Sequence, residues 1–308
     1  MMMTTKLAPF RLKPWFSPRP WGRKSLKPWY EETGTTELVG EAWLTGPQCL
    51  VEEGDELAGR TLASLECEMG GEFPLLVKLL FPNEKLSVQV HPDDAQAQAA
   101  GEARGKTECW YVLEAEPGAS VMLGLKPDVD AEMLEASVAD NTMESLVEKV
   151  PVSVGDMLFV DAGTVHAIGP GVVLLETQQT SDVTYRLYDY GRPRELHLEQ
   201  GLKVIRQKTR AGKVAPREMD GFTRLIEQKY FIVDRFELGE MEERSVAMEG
   251  AGCLVGIEGK VWVITPGDEV ELEAGKAVVI PAGVSEVVVE AEGGASFVRC
   301  VAPAGSAA

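Results

Sequence analysis

The sequence predicts a mainly β protein made of two barrel-like units, the first carrying the chemistry and the second structural. Three observations predict it. Short Val/Leu/Ile runs recur between Gly, Pro and Asp punctuation in a 308-residue chain that holds 31 Gly and 18 Pro, which is the texture of a sandwich or barrel of many short strands. Helical periodicity is confined to a few stretches. A weak internal repeat relates residues 155–166 (GDMLFVDAGTVH) to residues 275–286 (GKAVVIPAGVSE). Each copy has a turn glycine, an apolar strand, and an Ala-Gly pair whose Gly lies eight positions on. Where the first copy has His166 the second has Glu286, and the only histidines are His91, His166 and His197.

Strands are expected over residues 73–80, 86–91, 109–113, 157–160, 172–176 and 184–190. Residues 93–105 (DDAQAQAAGEARG) are Ala-rich behind capping aspartates and predict a helix. Residues 129–150 predict one or two helices, with Met133, Leu134, Val138, Met143, Leu146 and Val147 at mixed three- and four-residue spacing. Residues 195–210 suit a short helix or an extended connector, and the charged stretch 203–217 reads as an inter-domain linker. The expected division is residues 1–210 for the catalytic unit with helical insertions and residues 219–308 for the second β unit.

Composition narrows the function classes. Apolar residues make up 44%, enough for a packed core and against wholesale disorder. No stretch approaches the ~20 apolar residues of a membrane span. Residues 1–13 lack an apolar run followed by a small-residue cleavage site, so no signal peptide is expected; the three leading methionines leave the start open. Five cysteines, odd in number and widely spaced without a CxxC, argue against a disulfide framework and for buried thiols in a reducing cytoplasm. A net charge of −19 repels nucleic acid and anionic membranes. It equally repels an anionic substrate such as a sugar phosphate, so a site for one must supply its own positive charge.

Four segments carry chemistry. In LSVQVHPDD (86–94), Leu86, Val88 and Val90 alternate with Ser87, Gln89 and His91; one strand face is apolar and the other presents the three polar side chains together. In GKTECWYVL (105–113), Lys106, Glu108 and Trp110 share a face. If that face lines a lumen, Glu108 suits a metal ion and Lys106 an anion or a proton. In residues 155–169 a tight Ala-Gly turn presents His166 at a barrel mouth. In ETQQTSDVTYRLYDYGR (176–192), Asp182, Thr184, Arg186 and Tyr188 have one parity and Arg192 follows near the strand end. An inward arginine must be paired or bind an anion. Two imidazoles, a carboxylate and an amide oxygen suit a borderline divalent cation: zinc first, with manganese, iron(II) or cobalt as substitutes. Lys106, Arg186 and Arg192 answer the need for local positive charge.

These four segments, with PRPWGRKSL (18–26), GEAWLTG (40–46) and FPLLVKLLF (73–81), resemble the signature set of type I mannose-6-phosphate isomerases in their short bacterial form. The resemblance covers residues 8–210 in order; beyond about 219 it is loose, as a degenerate cupin. It implies a cupin (jelly-roll) β-barrel followed by a degenerate cupin-like barrel. It implies that Gln89, His91, Glu108 and His166 bind zinc, that Lys106 and Arg186 are active-site residues, and that Asp182 lies near the substrate. Lys78, Ser87 and Arg192 match less firmly assigned substrate-binding positions. His197 and Glu286 receive no role, and His197 reads as a surface residue.

The activity so implied interconverts mannose 6-phosphate and fructose 6-phosphate through a cis-enediol(ate), with the metal as Lewis acid and preorganised cations stabilising the developing charge. Asp182, Lys106 and a metal-bound water are candidates for the base, with Lys106 expected to have a lowered pKa. Ser87 with a nearby Lys or Arg is a candidate phosphate anchor. The competing readings are another cupin enzyme, such as an iron(II) dioxygenase, and a non-catalytic sugar-binding cupin. Dioxygenases of this kind usually present three histidines and a glutamate, and Gln89 stands where the first histidine would be.

Overall fold

The computed structural model describes residues 7–52 and 57–303. The leading methionines and the outermost ends of the two expected units lie outside the described residues. The described chain forms four antiparallel sheets stacked as layers, and alternate side chains decide what each layer packs against. The first sheet has five strands in the order Tyr185–Tyr188, Val88–Val90, His166–Ile168, Ser120–Leu125 and Val147–Pro151. The second has seven: Gly212–Val214, Met157–Val160, Glu108–Ala115, Val172–Gln179, Leu75–Leu80, Val39–Trp43 and Trp15–Arg23. Between them lies a core that includes Val112, Leu158, Leu174, Val121, Leu123 and Ile168. The other face of the seven-stranded sheet, with Val77, Leu79, Val173 and Leu175, packs on an eight-stranded sheet that presents Val255, Val279 and Val298. The inner face of that sheet, with Leu254, Val278 and Phe297, covers a four-stranded sheet through Val261, Val263 and Val289. The protein is mainly β and cupin-type, with each unit a pair of facing sheets.

This layering explains why VVLLE at residues 172–176 shows no alternation. The strand lies in a middle layer, so both of its faces are buried. The repeat marks equivalent positions in the two units. Met157–Val160 and Ala277–Ile280 each follow a glycine at positive φ, Gly155 and Gly275, and each is followed by a turn. The chain then crosses to the facing sheet, at His166 in the five-stranded sheet and at Glu286 in the four-stranded one. Glu286 is exposed.

Several elements are shorter than their patterns. The helix expected over 93–105 is Asp94–Ala99; Asp93 and Gln96 form its capping box, and Gly101 at φ 88° turns the chain away. The stretch 129–150 contains helix Ala131–Ala139 and a 3₁₀ turn Met143–Leu146, separated at Asn141 (φ 57°). Its last part is the strand Val147–Pro151, whose apolar residues imitate a continued helix. Leu86 precedes its strand, Val88–Val90, and packs in a different core from Val88 and Val90. Residues 195–210 contain the helix Leu198–Val204. Helical segments cover the outer face of the five-stranded sheet, where Leu134, Met143 and Val204 meet Val88, Val90 and Leu187.

Two short strands lie outside their expected places. Phe10–Lys13 pairs with Ala277–Ile280 and so extends the eight-stranded sheet. Gly212–Val214, inside the expected linker, pairs with Met157–Val160 and closes an edge of the seven-stranded sheet. Phe10 is fully buried between the two sheets. Phe10→Ala should lower stability by about 3–5 kcal/mol, the cost of a large cavity in a packed core. Urea unfolding followed by tryptophan fluorescence checks this, with a loss well under 1 kcal/mol showing that the crossing strand contributes little.

Candidate metal centre

Strand pairing brings the ligand candidates together. His166 stands opposite Gln89 in the five-stranded sheet, and Glu108 opens the facing strand Glu108–Ala115. His91 follows Val88–Val90 directly. The atoms converge: His91 Nε2 is 3.6 Å from Glu108 Oε2, and His166 Nε2 is 3.4 Å from Glu108 Oε1. The two imidazole centroids are 4.8 Å apart, and Trp110 meets His166 edge-on. Each imidazole is oriented by its other nitrogen. His91 Nδ1–H donates to Val183 O at 2.8 Å and His166 Nδ1–H to Thr164 O at 2.9 Å, so both Nε2 atoms carry a lone pair, which Lys106 Nζ approaches at 3.3 Å on His91 and Gln89 Nε2 at 3.3 Å on His166. Burial, the larger cause, and the Lys106 charge push both imidazoles down, His166 to about 4, so both are neutral. Glu108 is fully buried, and neither of its oxygens accepts a hydrogen bond. Lys106 Nζ is 2.9 Å from Oε2, near enough for an ion pair but off the line of a hydrogen bond. Two unprotonated imidazole nitrogens gathered with a buried carboxylate, all within 4.8 Å of one another, fit a divalent cation. Gln89 joins them when its amide is turned by 180°, which exchanges the Nε2 now 3.3 Å from His166 Nε2 for Oε1.

Of these residues, Gln89 and Glu108 line a cleft of about 420 Å³. Gln89, Lys106, Glu108, Ser87, Lys78, Asp182, Thr184 and Arg186 all line it. Across the seven-stranded sheet, Trp110, Glu176, Lys78 and Trp43 stand in one cross-strand row. Lys78 is buried, 4.4 Å above the Trp43 ring, 3.0 Å from Asp182 and 3.7 Å from both Glu41 and Glu176. Burial alone would lower its pKa, but Asp182, Glu41 and Glu176 raise it. Lys106 goes the same way, contrary to expectation, because Glu108, Glu176 and Asp182 outweigh burial. Glu176, which accepts from Trp110 Nε1, is pushed up chiefly by burial.

A profile of the phosphomannose isomerase type I catalytic domain matches residues 51–118. Mannose-6-phosphate isomerase ManA of Bacillus subtilis is 34% identical over 94% of this chain and 97% of its own length. The chain belongs to the type I phosphomannose isomerase family. The mannose-6-phosphate isomerase of Streptococcus mutans is 39% identical over 60% of this chain, a match that spans 64% of that relative. The crystal structure of the mannose 6-phosphate isomerase from Bacillus subtilis superposes with a TM-score of 0.84 at 28% identity, covering 96% of this chain and 99% of that one.

Within this family member, three expectations change. Arg192 is not in the cleft. It binds Asp189, Glu84 and the Lys85 carbonyl, because Tyr190 at φ 54° and Gly191 turn the chain outward after the strand. Tyr188 packs in the outer core, since the pairing with Val88–Val90 shifts register between Arg186 and Tyr188. His197 is half-buried, not a bare surface residue. Its Nδ1 accepts the Arg186 N–H at 3.2 Å and its own N–H donates to Arg186 O at 2.7 Å, clasping that strand.

Sequence reasoning also missed four cleft residues: Arg19, Glu41, Glu176 and Arg194. The first two lie in the 18–26 and 40–46 segments, but nothing in the local pattern says that those strands reach the cleft. Arg19 grips Glu41 through Nε and Nη2 at 2.9 and 3.1 Å, and Trp43 Nε1 donates to the same carboxylate at 2.7 Å.

Glu108→Ala should reduce bound divalent metal from about one per chain to near zero by elemental analysis; full retention would remove Glu108 from the centre. Glu41 makes a second prediction. Burial would raise its pKa, but Lys78 and Arg19 hold it below the ordinary 4.5. Its folded pKa is thus under its unfolded one, so its contribution is complete above pH 4.5 and is lost as pH falls further. The melting-temperature gap between wild type and Glu41→Gln should be widest at neutral pH and narrow below 4.5. A gap that grows on acidification would reverse this assignment.

Proposed function

We propose that this protein interconverts mannose 6-phosphate and fructose 6-phosphate, with zinc held by Gln89, His91, Glu108 and His166. The observation that carries the reading is the junction, in one cleft, of a metal-fitting ligand set with a surplus of cations. Five cationic side chains (Arg19, Lys78, Lys106, Arg186, Arg194) line it against four carboxylates (Glu41, Glu108, Glu176, Asp182), in a chain of net charge −19. That local positive field suits a sugar phosphate. Two imidazole nitrogens, a carboxylate and an amide oxygen favour zinc over harder cations. A three-histidine oxygen-activating centre would need a third imidazole at the cluster, but Gln89 stands there and His197 is bound to the Arg186 backbone.

When bound, the zinc supplies Lewis acidity at the sugar's carbonyl end. The chain's own residues supply the rest. Asp182 is half-exposed at the cleft and kept ionised by Lys78, so it has a lone pair for the proton that moves between C1 and C2. Lys78 stays cationic beneath it and Lys106 stands beside Glu108. Both stabilise the enediolate as its charge develops. Trp110 and Trp43 wall the polar row and exclude water from it. Arg186 lies beside Gln89, and Ser87 Oγ, 3.1 Å from the other end of the Gln89 amide, accepts from its Nε2 once the amide is turned toward the metal.

The catalytic unit on this reading is residues 1–210 and the second unit, residues 219–308, is structural. Five free thiols support a reducing, cytoplasmic setting, and among the described residues no helix is long and apolar enough to cross a membrane. A coupled assay with mannose 6-phosphate should show activity that disappears on chelation and returns with zinc. A zinc-loaded protein with no turnover would sink the substrate assignment.

A further inference from the structure

Lys106 sits in a stretch of chain that the strand ladders do not hold. The strand Glu108–Ala115 begins two residues later, and Glu108 is already locked on both sides, opposite Val160 and Gln178. Residues 104–107 lie in no helix or strand, yet Gly105, Lys106 and Thr107 are buried. A buried backbone N–H needs an acceptor, and here every acceptor comes from outside the stretch. Gly105 N donates to Asp94 Oδ1 at 3.0 Å. Lys106 N donates to Pro92 O at 3.1 Å. Thr107 N donates to Gln179 Oε1 at 2.9 Å, and Thr107 O accepts from Gln179 N at 3.2 Å.

Asp94 ties these contacts together. The oxygen that receives Gly105 N also accepts from Gln179 Nε2 at 2.8 Å, so one carboxylate oxygen steadies both Gly105 and the amide that holds Thr107. The other oxygen, Oδ2, accepts from Tyr230 Oη at 2.5 Å. Tyr230 belongs to the second unit. It stands just before the strand Ile232–Leu238, 136 positions along the chain from Asp94, and its ring packs against the core between the seven- and eight-stranded sheets. Burial works to raise the pKa of Asp94, but donation from Tyr230, Gln179 and Gly105 holds it below the ordinary range, so the acceptor is a carboxylate. Lys229 lies 3.7 Å from Oδ2 and is largely exposed, and an exposed pair contributes little. The directed contact from the second unit is the phenol. The stretch also has no slack against the helix Asp94–Ala99: a Cβ at Gly105 would stand 2.5 Å from the Asp93 carbonyl carbon and 2.6 Å from the Pro92 oxygen.

We infer that Tyr230 is a positioning residue for the reaction: through Asp94 and Gln179 it fixes residues 105–107 and so sets where Lys106 Nζ stands. This rests on the isomerase reading above, and it gives the second unit a part in turnover without a side chain in the cleft. Lys106 Nζ is 2.9 Å from Glu108 Oε2 and 3.3 Å from His91 Nε2. A cation stabilises developing charge only when it is held in place before the reaction. Glu108 is held by its own ladder, whereas Lys106 depends on the contacts just described. Loosening the strut therefore displaces the lysine and spares the metal ligand.

The test uses the zinc-loaded full chain. Tyr230→Phe keeps the ring in its core and removes one hydroxyl. It should lower kcat for mannose 6-phosphate about tenfold, with KM within about twofold and metal content unchanged. Asp94→Ala should cost more. Asp94→Asn keeps an acceptor for Gly105 and Gln179 and turns an N–H toward Tyr230, so its kcat should stay within about threefold of wild type. A double variant separates positioning from folding. Lys106→Ala should be as slow alone as when combined with Tyr230→Phe, since a strut that acts through Lys106 then has nothing to act on. An unchanged kcat in Tyr230→Phe, a parallel loss of metal, or losses that multiply in the double variant would overturn the inference and leave the isomerase intact. If the wild-type protein turns over no mannose 6-phosphate, the isomerase reading fails, and amide hydrogen exchange decides the strut alone. Exchange at Gly105, Lys106 and Thr107 that is about tenfold faster in Tyr230→Phe supports it, and exchange equal to wild type rejects it.

Discussion

A carboxylate buried with neither oxygen accepting a hydrogen bond is among the most expensive groups a protein interior can hold, and the first unit is organised around one. Glu108 has no exposed surface. Two imidazoles face it, made neutral by burial and aimed by backbone carbonyls. Lys106 offsets part of its charge. The rest of the demand is for a cation, and every neighbouring element serves to present it. The Val88–Val90 strand aims Gln89 and His91, the turn after Met157–Val160 delivers His166, and the facing sheets hold the distance between them.

From that centre the polar row runs outward through alternating charges. Glu108, Lys106, Glu176, Lys78, Asp182, Glu41 and Arg19 line up there, with Lys78 countered by three carboxylates and Lys106 and Arg19 by one each. Such a network is favourable only when complete, because removing one member strands its partners in low dielectric. This explains how an acidic protein keeps a cationic cleft. The lysines are buried with their counter-ions, while Arg186 keeps a buried Nε without a hydrogen-bond partner.

The second unit repeats the strand-turn-strand device of the first without its chemistry. Glu286, the counterpart of His166, points to solvent, and no imidazole lies in that unit. Its contribution is the wide apolar contact between the seven- and eight-stranded sheets, reinforced by Phe10–Lys13 crossing one way. One polar contact reaches further: Tyr230 donates to Asp94, which also accepts from Gly105 N and from Gln179. Through Asp94 the second unit bears on the segment that carries Lys106.

The sequence by itself determined the fold class and the repeat, for a physical reason: these features are local; its family resemblance named a ligand set of which the structure gathers His91, Glu108 and His166. Period-two alternation reports which strand face Gln89 and His91 share, and a turn glycine with the strand it follows reports where His166 emerges. Segment order also carries the family signature. The tertiary structure alone decided which cations reach the cleft. Arg192 and Arg194 differ by two positions, and only the turn at Tyr190 and Gly191 sends one outward and leaves the other at the mouth. Arg19 and Glu41 join the site because their strands end a sheet whose order is not the chain order. The raised pKa of Lys106 is likewise decided largely by the tertiary structure. Glu108 is a neighbour in the chain, but Glu176 and Asp182 come from a different strand and the segment after it, and only folding brings their charge to Lys106.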